Sequence, residues 1–91
     1  MSSRLDTCLE ALRFLAQSSE LEAIRLMTAE RSIRDFLAPV ASNPTALRAS
    51  LEELASAVDR EAPLRPEGRA SFWQGIMDFI DQRLVQLDED D

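Results

Sequence analysis

An all-α fold, a four-helix and largely antiparallel bundle, is predicted from three observations. Apolar residues recur at spacings of three and four along most of the 91-residue chain, and no window alternates apolar and polar residues long enough for a strand. Clusters of Ser, Asn, Pro and Gly fall where one periodic segment stops and the next begins. The composition agrees. At 45% hydrophobic and 30% charged, with two Gly and four Pro, the chain is too apolar for a disordered tail and too interrupted by charge for a membrane protein. Its length suits one unit, so residues 1–91 read as a single helical domain, with 88–91 an acidic tail expected to be mobile.

The first helix is expected over about residues 3–17, where Leu5, Cys8, Leu9, Leu12, Leu15 and Ala16 share one face. Phe14 falls on the opposite face. Ser18 and Ser19 then break the pattern, and Ser19 with Glu22 has the S-x-x-E spacing of a capping box. A second helix is expected over about 20–38. Its apolar positions form two arcs, Leu21 with Ile24 on one side and Leu26, Ala29, Ile33, Phe36 and Leu37 on another, and both require cover. Pro39 and the stretch through Pro44 end it, because proline disfavours helix in the residue before it and has no amide to donate.

Asn43 before Pro44 is an N-cap followed by proline at the first helical position, opening a third helix over about 44–61. Leu47, Leu51, Leu54 and Val58, with Ala55 beside them, make a narrow seam suited to shallow packing in a bundle. The Pro63–Pro66 segment, about 62–68, reads as an extended linker. A fourth helix over about 69–87 carries most of the large side chains, Phe72, Trp73, Ile76, Met77, Phe79, Ile80, Leu84 and Leu87. Arg83 falls inside that apolar arc, where an unpaired buried guanidinium would cost several kcal/mol, so it needs a path to water or a carboxylate.

The chain has no His, no Tyr and no Lys, and all ten basic residues are Arg. It therefore has no imidazole metal ligand, no Ser-His or Cys-His nucleophilic pair, no Schiff-base lysine and no P-loop lysine. Arginine without lysine, beside abundant alanine, matches the codon bias of a GC-rich bacterial genome. Cys8 is the single cysteine, has no internal disulfide partner and suits a reducing, cytoplasmic setting. On the apolar stripe of the first helix its plain role is a small buried hydrophobe. Arg4, Asp6, Glu10 and Arg13 interrupt any signal-peptide core, and no run is apolar enough to span a membrane, so neither export nor membrane insertion is expected.

Seventeen acids against ten arginines give a net charge of −7, which disfavours direct binding of nucleic acid. Carboxylates are the only acid–base groups in supply. Glu52 and Glu53 are adjacent and diverge by roughly 100° on a helix. Asp78 and Asp81 share a face and could touch a divalent cation through waters, but the carboxylate metal sites of bundles use Glu-x-x-His pairs that this chain cannot make. Solvated surface is the plainer role for them, and no enzyme activity, metal or cofactor is expected.

What remains is surface. A chain of this size buries only about 60–65% of what its unfolded form exposes, so self-association would cover apolar area that one copy leaves open. Phe14, Leu26, Ile33, Phe36, Trp73 and Arg83 are the contact residues this points to. Phe72, Trp73 and Phe79 are foremost core anchors, although Trp is the residue most enriched at interface hot spots. The function expected is a cytoplasmic protein–protein interaction module, an assembly factor, adaptor or small regulator, acting as a homodimer or on a protein partner. The alternative is an acidic decoy that occupies a basic nucleic-acid-binding surface of another protein through Asp78, Asp81 and the acidic tail.

Overall fold

The computed structural model describes residues 3–61 and 70–90, as four helices: α1 (Arg4–Gln17), α2 (Glu22–Leu37), α3 (Pro44–Glu61) and α4 (Ala70–Asp90). A 3-10 turn, Ala38–Val40, follows α2 directly. No strand occurs among the described residues. The expected linker at about 62–68 lies outside them. α1 packs chiefly on α2 and α3 on α4, while α2 also crosses α4, which makes the molecule a four-helix bundle.

The helix starts show which local signals the chain uses. Ser3 caps α1: its Oγ accepts from the Asp6 amide at 3.1 Å, and the Asp6 carboxylate accepts from the Ser3 amide at 3.5 Å, a complete capping box. The box expected at Ser19 and Glu22 does not form. Leu21 is the N-cap of α2 and makes no side-chain cap bond, so Glu22 is the first helical residue rather than the third, and Ser19 stands two positions too early. Glu22 instead places negative charge at the positive end of the helix dipole, and Ser18 Oγ accepts from the Glu20 amide at 3.2 Å in the turn. At α3 the expected cap is present, with Asn43 Oδ1 accepting from the Ala46 amide at 3.2 Å and Pro44 as first residue.

α4 runs through Asp90, beyond the expected end near Leu87, so residues 88–90 continue the helix. Carboxylates at a helix C-terminus oppose its dipole. Arg48 of α3 offsets this by donating to Asp88 at 2.5 Å, which ties the end of α4 to the start of α3. A second tie, Arg13 to Glu61, joins α1 to α3.

The core fills from all four helices. Leu12, Ile33, Leu51, Leu54, Val58, Phe72, Trp73, Ile76 and Ile80 are fully buried, and the α3 seam read from the sequence faces inward as Leu51, Leu54 and Val58. Phe72 and Trp73 meet edge to face, with centroids 5.6 Å apart and planes at 80°. α2 and α4 approach closely where Gly75 faces Leu26. A methyl at Gly75 would lie 2.9 Å from Leu26 Cδ2.

Candidate functional site

α1 and α2 lie antiparallel, with the Arg25 guanidinium donating to the Ala16 carbonyl at 3.4 Å and the Cys8 thiol 4.0 Å from the Ser32 carbonyl. Four large apolar side chains close in sequence to the turn that joins them stand in water. Phe14, in the last turn of α1, is 76% exposed; Leu21, at the N-cap of α2, is 73% exposed; Ile24 and Met27, in its first turns, are 46% and 70% exposed. Val85 is the only other exposed large apolar side chain among the described residues. The two arcs of α2 thus have different fates. Ala29, Ile33, Phe36 and Leu37 enter the core, whereas Leu21 and Ile24 stay outside, and Met27 joins them.

The six residues expected to make contacts do not form one exposed surface. Ile33 and Trp73 are fully buried within one chain and offer a partner no surface. Leu26 is half-buried, its methyls committed to the crossing with Gly75. Phe36 is buried and its ring is covered by the Arg4 guanidinium, 5.2 Å from the centroid. Phe14 on α1 is exposed and Arg83 on α4 is half-buried. Large side chains drew the sequence reading toward the larger arc of α2, but burial in a small bundle claims those side chains first. The smaller arc of Leu21 and Ile24 was the legible signal for the exposed surface. Met27 had none, since a lone methionine beside either arc reads equally well as core.

Arg83 is half-buried, with its guanidinium 5.6 Å from the centre of the Phe79 ring. Among the described residues no carboxylate lies within ion-pair distance of it. The aromatic face and a path to water meet the need that its place in the apolar arc creates. Arg25 is held in the same manner, 5.4 Å from the Phe72 centroid.

Chemistry-bearing groups are sparse. Burial pushes the Cys8 thiol up to about 11, the reverse of what a nucleophilic cysteine needs. Among the described residues no three Cys, Asp or Glu side chains gather in a way that could hold a metal ion, and no helix is long and apolar enough to cross a membrane. Asp78 and Asp81 are exposed on the outer face of α4, where Asp78 accepts from Gln74 at 3.0 Å. No family model, curated protein or solved structure matches this chain.

Proposed function

We propose that this chain is a non-enzymatic, cytoplasmic protein–protein interaction module that self-associates as a dimer through the apolar surface at the α1–α2 turn. One observation carries this: Phe14, Leu21, Ile24 and Met27 are all exposed within a 14-residue stretch of chain. Covering them favours association, because each large apolar side chain that becomes fully buried contributes about 1.5–3 kcal/mol. A two-fold contact would bring the same patch from each copy together. The high thiol pKa and the absence of His and Lys support a non-enzymatic role, and an unpaired thiol suits a reducing compartment.

Sedimentation equilibrium at micromolar concentration tests the proposal. The wild-type chain should run as a dimer, and Phe14→Asp, at an exposed position that the fold does not need, should weaken self-association at least about tenfold while leaving helix content unchanged. A wild-type monomer of 10.2 kDa would refute it.

The acidic-decoy reading has its own support in Asp78 and Asp81, which stand exposed on one face of α4. Against it, Asp88 is engaged with Arg48, and ten interspersed arginines dilute the negative surface.

A further inference from the structure

A second surface lies at the other end of α2. Pro39 stops that helix, α3 does not begin until Pro44, and the intervening Ala38 and Ala41 are too small to fill the space. The result is a groove of about 500 Å³ between the end of α2, the start of α3 and the last turns of α4. Leucines form its floor: Leu37 and Leu51 are buried, Leu47 and Leu87 half-buried. The volume is within the range of roughly 300–1,000 Å³ typical of binding sites.

The charge of this groove is opposite to that of the molecule. The chain carries seventeen acids and a net charge of −7, yet both charged residues lining the groove are arginines, Arg34 from α2 and Arg83 from α4. Neither is neutralised by a firm ion pair. Arg34 meets Glu30 only at 3.9 Å with both side chains exposed, a contact worth little in water, and Arg83 rests on Phe79.

We infer that the groove binds an acidic amphipathic helix of a partner protein. An apolar stripe at i, i+3, i+4 and i+7 would lie on the leucine floor, the common mode by which grooves take helices. Glutamates or aspartates beside that stripe would reach Arg34 of α2 and Arg83 of α4, with guanidinium–carboxylate bonds that set orientation. A monocarboxylate such as a fatty acid offers one carboxylate to two arginines. This site is separate from the surface at the α1–α2 turn.

Fluorescence anisotropy with a labelled helical peptide of about 14 residues tests the assignment, the peptide having leucines at i, i+3, i+4 and i+7 flanked by glutamates. A twin carries glutamine in place of every glutamate. The acidic peptide should bind the wild-type chain, and bind at least about tenfold more weakly to the Arg34→Glu/Arg83→Glu double variant, as should the glutamine twin to wild type. Ala41→Trp fills the groove from an exposed position and should reduce binding equally, which keeps the test decisive if the charge-reversed variant loses helix content. Phe14→Asp should bind the peptide as wild type does, even as it loses self-association, so the two surfaces fail independently. No binding by the acidic peptide, equal binding to the groove variants, or displacement by decanoate at comparable concentration would overturn the assignment. Loss of dimerisation in Ala41→Trp, which leaves the net charge unchanged, would overturn it in favour of a second copy.

Discussion

Cys8 and Trp73 show how a single buried side chain in this molecule has consequences that can be measured. The thiol is protonated in the folded state up to about pH 11, against 9.0 for the unperturbed group. Between those values the unfolded chain releases a proton that the folded chain keeps, so stability is full below pH 9 and falls as pH rises toward 11, by roughly 3 kcal/mol in all. No Lys, Tyr or His side chain titrates in this window. Urea unfolding at pH 8 and pH 11 should show the loss in wild type and little of it in Cys8→Ala, after allowing for the constant cost of the substitution. Trp73 is fully enclosed, so Trp73→Ala should cost about 3–5 kcal/mol of stability by opening a cavity, measured by denaturant unfolding. Any effect of that substitution on a partner would act through the fold.

At the scale of elements, the crossing of α2 and α4 depends on Gly75. A methyl there would press on Leu26 Cδ2 at 2.9 Å, but that atom is the end of a half-buried and movable side chain. Gly75→Ala should therefore change stability by less than about 1 kcal/mol, because the gain in helix propensity offsets the displacement of Leu26. Gly75→Leu has no such escape. It should separate the two helices and cost about 2–3 kcal/mol, seen as a lower urea midpoint. Ion pairs tie the ends of the helices, Arg13 to Glu61 and Arg48 to Asp88. The second is largely exposed, which makes truncation after Leu87 a small loss, within about 1 kcal/mol in thermal unfolding.

For the whole molecule, net charge and apolar surface oppose each other, and salt separates them. Two copies of charge −7 repel, so a dimer formed at Phe14, Leu21, Ile24 and Met27 should tighten as ionic strength rises and screening shortens to about 8 Å near physiological salt. Sedimentation across a salt series measures this directly. An acidic decoy held to a basic surface, or an acidic helix in the Arg34–Arg83 groove, should weaken over the same series. The dimer and the groove complex therefore respond to salt with opposite sign.

The residues themselves determined the helical class and the positions of the helices. Spacing at three and four named the inward faces of α1 and α3, and Asn43-Pro44 marked the start of α3, because these are local properties of backbone and side chain. The absence of His and Lys bounded the chemistry before any fold was known. Tertiary structure decided what local pattern leaves open. Ser19 and Glu22 have capping-box spacing, yet α2 starts at Glu22 with Leu21 as its N-cap and no side-chain cap bond. Ser3 and Asp6, equally spaced, formed the box that the reading passed over. Which arc of α2 is buried was likewise a matter of packing: Ile33 and Phe36 face the core, whereas Leu21 and Ile24 face water. The groove beside Arg34 and Arg83 joins residues from three helices far apart in the chain. No spacing rule reaches that far, because the groove exists only where those helices fail to fill the space between them.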